Sequence, residues 1–141
     1  MRFKPAIKLL LLPLILSGSI GLAHADGETT QGVTAAKAWL ELVDSKRYKE
    51  SWIDAAPFFK ERVPEKDWVK MVSLARAPFG DVKSRELKNA TYATSLPGAP
   101  DGAYVVIQFK TSFTNKADAL ETITPMKDDK GAWRVSGYFI K

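Results

Sequence analysis

The sequence contains no cysteine and a single histidine, His24. The first absence excludes a disulfide, a thiol nucleophile and a lipid-modified cysteine. His24 lies in an N-terminal stretch expected to be removed, so the remaining chain has neither residue type. A zinc site of the usual His/Cys kind, a Ser-His-Asp triad and the commonest general base are therefore ruled out there. No metal or other cofactor is implied.

A long hydrophobic run is also missing. Leu9 to Leu16 is apolar but interrupted by Pro13, and Ser17, Gly18, Ser19 and Gly21 follow it. That is well short of the roughly 20 residues of a membrane-crossing helix. Arg2, Lys4 and Lys8 precede the run, and Ala23-His24-Ala25 follows as an A-x-A site. Residues 1–25 thus read as a secretory signal peptide, with the mature chain starting at Asp26 and no stable membrane anchor after cleavage. The expected location is periplasmic or secreted. The charge argument changes with it. The whole chain is +5, but three of its basic residues leave with the signal and no acid does, which leaves a balance of +2. Such a balance gives no reason to expect a nucleic-acid partner.

Residues 26–141 are long enough to bury a core without disulfides and are read as a single α+β domain. Asp26 to Gln31 is a polar lead-in. From Thr30, with Thr29 or Thr30 as cap, Val33, Ala36, Leu40 and Val43 form one helical stripe with Trp39 beside it. Tyr48, Trp52 and Ala55 mark a short second helix, ended by Pro57. Val63-Pro64 opens a third, whose stripe is Trp68, Met71, Val72 and Ala75, and Pro78 with Gly80 stops it.

Beyond Gly80 the period changes from helical to alternating. Asp81 to Leu96 is a long strand whose parity requires a bulge near Lys88-Asn89 if Leu87 and Tyr92 share a face. Ala103 to Phe113 is a second strand, Thr114 to Ala117 a hairpin loop, and Ala119 to Lys141 a closing hairpin around Asp128 to Gly131. These loops set Val105 opposite Met126, Ile107 opposite Thr124 and Phe109 opposite Thr122. They also set Met126 opposite Trp133, Thr124 opposite Val135, Thr122 opposite Gly137 and Leu120 opposite Phe139. The expected architecture is a curved four-stranded antiparallel meander with the helices on one face. That face carries Val105, Ile107, Phe109, Leu120, Met126, Trp133, Val135 and Phe139. The other face carries Tyr104, Ile123 and Ile140, with Lys110, Glu121 and Tyr138 in a row across three strands.

Helices followed by an antiparallel meander resemble the nuclear-transport-factor-2-like or cystatin-like fold, in which a sheet wraps a helix around a conical pocket. The segments AWLELVDSKRYKESW, WVKMVSLARAPFG with SRELK after it, LPGAPDGAYVVIQFKTSF and GAWRVSGYFIK resemble the bacterial domain-of-unknown-function family 4019, over Ala36 to Lys141. That family implies no activity and carries over no catalytic residues.

Several constellations are weighed on this frame. Trp39, Tyr48 and Trp52, together with Trp68, are either core or platforms for a small apolar or aromatic ligand. Arg85 is a clamp for a carboxylate or phosphate, a surface charge, or the partner of a helix acid such as Asp44 or Asp54. Lys110, Glu121 and Tyr138 are either a solvated cross-strand group or an interaction face, and Tyr104, Ile123 and Tyr138 would line a homodimer contact. Some enzymes of the resembled fold pair a pocket carboxyl with a tyrosine, as ketosteroid isomerase does. Asp54, Glu86 and Glu121 with Tyr92 or Tyr138 are the corresponding candidates, but none lies in an apolar run on the expected inner face. The expected function is therefore a non-catalytic module that binds a small ligand or a protein. The alternatives are a pocket isomerase or hydrolase, or a structural homodimer.

Overall fold

A computed structural model describes residues 19–141, with side chains from His24 onward. The apolar run expected to belong to a signal peptide lies outside the described residues. The elements are helices α1 (Ser19–Asp44), α2 (Tyr48–Ile53), α3 (Pro57–Arg62) and α4 (Glu65–Arg76), then strands β1 (Val82–Ala93), β2 (Tyr104–Phe113), β3 (Lys116–Lys127) and β4 (Trp133–Ile140). The strands form one open antiparallel sheet in the order β1-β2-β3-β4. This is the α+β arrangement expected, with helices on one face of a meander.

Helix α1 is the element around which the sheet is covered. Ala36, Trp39, Leu40 and Val43 are all buried, as their spacing requires. The helix starts well before Thr30, and Asp26 to Gln31 is helical rather than a lead-in. Apolar periodicity misses these turns because polar contacts hold them. Glu28 is buried and pairs with Lys127 of β3, and Trp133 Nε1 donates to Gln31 Oε1 at 3.1 Å.

The C-terminus of α1 closes with two crossed hydrogen bonds, from Arg47 N to Leu42 O (2.8 Å) and from Lys46 N to Val43 O (3.0 Å). This is a Schellman motif, whose left-handed residue is usually glycine. Here it is Lys46, at φ 61°. Pro57 does not merely end α2. It is the first residue of α3, where its missing N–H costs nothing. In α4 the inward stripe is Trp68, Val72 and Arg76, while Met71 is 55% exposed and Ala75 also faces solvent. An arginine thus takes the inner position expected for apolar residues.

The β1 bulge falls between Leu87 and Asn89, as parity demanded. Leu87 pairs with Phe109 and Tyr92 with Val105, on one face. The register of the other two pairs differs from expectation. Phe113 pairs with Lys116, so the β2–β3 turn holds only Thr114 and Asn115, and Ile107 pairs with Ile123 and Phe109 with Glu121. A shift of one residue turns every β3 side chain over. The inner residues of β3 are therefore Ala119, Glu121, Ile123 and Pro125, not Leu120 and Met126. In β4 the pairs Pro125–Val135 and Ile123–Tyr138 bracket an irregularity, so Val135 and Tyr138 both face the helices and Phe139 is 61% exposed. Trp133, expected in the core, is only partly buried. Ile123, expected on the outer face, is interior, and Tyr104 is buried on that outer face under the β1–β2 connection, its hydroxyl donating to the Pro100 carbonyl, so neither is free to line the expected homodimer contact.

One contact fixes how closely α1 approaches the sheet. A Cβ built on Gly32 would lie 2.5 Å from Val105 Cγ2, and Val105 is fully buried. In an exposed helix Gly→Ala stabilises by about 1 kcal/mol. Gly32→Ala should instead destabilise by about 1–3 kcal/mol through overpacking, measured as a lower urea midpoint at unchanged m-value. A stabilised variant would show that α1 and β2 separate readily.

Candidate functional site

The inner face carries charge at its β1 end. Arg85 pairs with Thr111 across β1 and β2 and so points toward the helices. Its Nη1 donates to Asp44 Oδ2 at 2.8 Å, Nη2 to Asp44 Oδ1 at 3.0 Å and Nε to Glu121 Oε1 at 2.8 Å. One guanidinium therefore joins the last residue of α1 to the middle of β3 in fork geometry. Arg76, at the end of α4, adds a bond from Nη2 to Asp44 Oδ1 at 2.9 Å. Thr111 Oγ1 donates to Glu121 Oε1 at 2.5 Å, and the Tyr138 hydroxyl donates to Glu121 Oε2.

The cluster is electrically balanced, with two arginines and two carboxylates. Glu121 is fully buried, while the Arg76, Arg85 and Asp44 side chains are 6%, 15% and 23% exposed. Burial works against the charge on Arg85, but the hydrogen bonds and charges of Asp44 and Glu121 outweigh it and hold its pKa above the ordinary value. Burial, followed by the Glu121 charge, pushes the Tyr138 phenol above its ordinary value, and the charge on Arg76 partly opposes this. Arg76 is the incomplete member. Its Nε and Nη1 are buried with no hydrogen-bond partner, and its guanidinium carbon lies 4.9 Å from the centre of the Phe113 ring.

The tryptophans position this cluster. Trp39 Nε1 donates to the Ser51 carbonyl at 2.7 Å and Trp68 Nε1 to Ser51 Oγ at 2.9 Å, so buried Ser51 ties α1, α2 and α4 together. Trp52 Nε1 donates to the Val63 carbonyl at 2.7 Å. Trp39 packs on the Tyr138 ring, with centroids 5.6 Å apart. Tyr48 stands apart from these. It borders a cavity of about 280 Å³ at the C-terminal ends of α1 and α4, with Asp44, Lys46, Ser73, Arg76 and Asp81.

The structure thus brings Arg85 together with Asp44 and adds Glu121 and Tyr138 from the face thought to be outside. Lys110 stays outside and exposed, opposite Leu120. The row Lys110–Glu121–Tyr138 does not exist, because the β2–β3 slip and the β4 irregularity turned its last two members inward. Arg76 and Thr111 were not recognised as site residues. The available signal was position: Arg76 follows Trp68 and Val72 at four-residue steps on the same helical stripe.

Every oxygen of Asp44 and Glu121 accepts at least one bond from Arg76, Arg85, Thr111 or Tyr138. These bonds make both carboxylates anchors for the surrounding side chains. No group of three His, Cys, Asp or Glu side chains among the described residues is placed to hold a metal ion. No helix among them is long and apolar enough to cross a membrane.

A helix-covered open meander with an internal ion cluster defines the class as α+β. The model of a family described as protein of unknown function (DUF4019) matches residues 35–138. The chain belongs to that family. No curated protein matches it.

Two outcomes follow. Arg85→Met should cost about 3–5 kcal/mol, because it strands buried Glu121. Adding Glu121→Gln should recover part of that loss, and the double-mutant cycle on urea unfolding reads the coupling. Strict additivity would mean the two do not interact. The second concerns alkaline pH. The native phenol of Tyr138 keeps its proton to a higher pH than the unfolded one, so the native state binds more protons above about pH 10 and stability falls as pH rises. Tyr138→Phe should flatten that fall in denaturant midpoints, and an unchanged slope would exclude Tyr138 as its source.

Proposed function

We propose that this is an exported, non-catalytic binding module of the nuclear-transport-factor-2-like or cystatin-like kind, whose ligand enters the cavity at the C-terminal ends of α1 and α4. The observation that carries this reading is Arg76. It borders that cavity, it is 6% exposed, and it is tied to Asp44 through a single nitrogen. Unmet donors on a buried guanidinium are costly, and an anionic oxygen is the partner that relieves the cost.

Lys46 supports the same reading. It is held in a left-handed conformation that lysine rarely adopts, at the rim of this cavity. Strain of this kind concentrates where a side chain has a task. Lys46, Tyr48, Ser73 and Arg76 together offer donors, which suits a small molecule bearing a carboxylate or phosphate. The anchoring of Asp44 and Glu121 to the side chains around them favours binding over turnover. The signal-like features of residues 1–25 favour export to a bacterial periplasm or beyond.

A thermal-shift panel of small carboxylates, phosphate esters and neutral analogues tests this. An anionic ligand at one hundred times its Kd should stabilise the fold by about 2.7 kcal/mol. The shift should disappear in Lys46→Gln, whose fold is intact because Lys46 is exposed. A panel in which no anion raises Tm, or in which Lys46→Gln responds like the wild type, overturns the assignment.

A further inference from the structure

The face of the sheet away from the helices has a feature that the cavity does not account for. At its β2–β3 end, Lys88, Lys110 and Lys141 border a hollow of about 500 Å³ beside Leu120, with Lys116 at the rim, its ammonium over the Phe79 ring, and with two acids nearby, Asp118 and Glu86, the latter paired with Lys110 across β1 and β2. Lys88 is the residue displaced by the β1 bulge, and bulges re-aim side chains. Lys110 lies opposite Leu120, and Leu120 exchanges backbone hydrogen bonds with Lys141. One residue pair along, Thr122 faces Phe139, which is 61% exposed. Alternation puts Leu120, Phe139, Lys110 and Lys141 on the same outer face. Among the described residues, the lysines found in ion pairs are Lys49 and Lys127, and neither belongs to this group.

We infer that this face docks on a lipid bilayer carrying anionic headgroups. The charge is complementary, and its form points to a surface rather than a shaped partner. All four cations are lysines. Arginine is the residue that grips a fixed carboxylate or phosphate with a planar fork, whereas lysine is a mobile point charge on a long stem. A ring of mobile charges suits a fluid array of phosphates. Phe139 supplies what soluble polyanions do not need: an exposed ring that enters the headgroup region while the lysines around it reach the phosphates. Such association is peripheral and reversible, and salt weakens it.

Co-sedimentation of the whole protein with vesicles tests this. Vesicles of phosphatidylcholine alone set a baseline that includes any contribution of the apolar N-terminal run. The docking face is read from the increment in a one-to-three mixture of phosphatidylglycerol and phosphatidylcholine. That increment should fall about fivefold for each of Lys110→Gln and Lys141→Gln and multiply in the double variant. Phe139→Ser should weaken it without changing its salt dependence, and Lys60→Gln on α3 should leave it intact. These side chains are on the surface, so an unchanged Tm certifies folding. No increment on adding phosphatidylglycerol, or an increment indifferent to the double variant, overturns the inference. So does binding of an acidic peptide or duplex DNA to these lysines by a protein that ignores the vesicles.

Discussion

The bond set of Arg85 is the constraint on which the rest depends. A single guanidinium holds the end of α1 through Asp44 and the centre of β3 through Glu121, and Asp44 in turn holds the end of α4 through Arg76. Three elements that share no tight turn are thereby fixed at one point. The arrangement carries a cost, since buried ion pairs often stabilise no more than apolar residues of the same shape. What they supply is selectivity. Glu121 accepts bonds from an arginine, a threonine and a tyrosine, so a β3 strand slipped by one residue would bury Leu120 opposite Thr111, next to Arg85, and leave Glu121 in water. The cluster penalises the register that apolar alternation alone would choose.

That point explains what was legible in the sequence. The α1 stripe ending in Val43, the inward Trp68 and Val72 of α4 though not Met71 or Ala75, the β1 bulge and the inner face of β2 follow from apolar periodicity. The register of β3 does not follow, because Leu120 and Met126 make one face look apolar while Glu121 sits on the true inner face. Only the paired charges on β1 and α1 decide between them, and Arg85 is 36 positions from Glu121 and 41 from Asp44 in sequence. Asp44 was readable as a partner for Arg85, and nothing local marked Glu121 as the other. Tyr138 was hidden by an irregularity in β4 whose cause lies in its pairing with Pro125, not in its own composition. The first turns of α1 were missed for the same reason, being held by Lys127 and Trp133 rather than by an apolar stripe.

The two faces of the sheet have separate chemistry. The covered face pairs its charges with one another, and among the described residues Arg76 and Glu28 keep buried polar atoms without a partner. The open face carries Lys110 and Lys141 around Leu120 and Phe139. A module built this way can present a small-anion site at the helix ends and a basic surface at the opposite side of the sheet without either competing for the same residues.

The contacts of Glu28 with Lys127 and of Gln31 with Trp133 span 99 and 102 residues of chain. These polar contacts of the first described turns of α1 are therefore made only once the final hairpin exists, whereas His24 meets the Tyr92 ring of β1 earlier in the chain. Contacts of such separation slow folding, since a large loop closes before they are rewarded. On a ribosome or a translocation channel, the amino-terminal turns of α1 gain these two polar anchors only when the carboxy-terminal hairpin emerges. The last step in fixing that end of the helix is thus timed by the end of the chain.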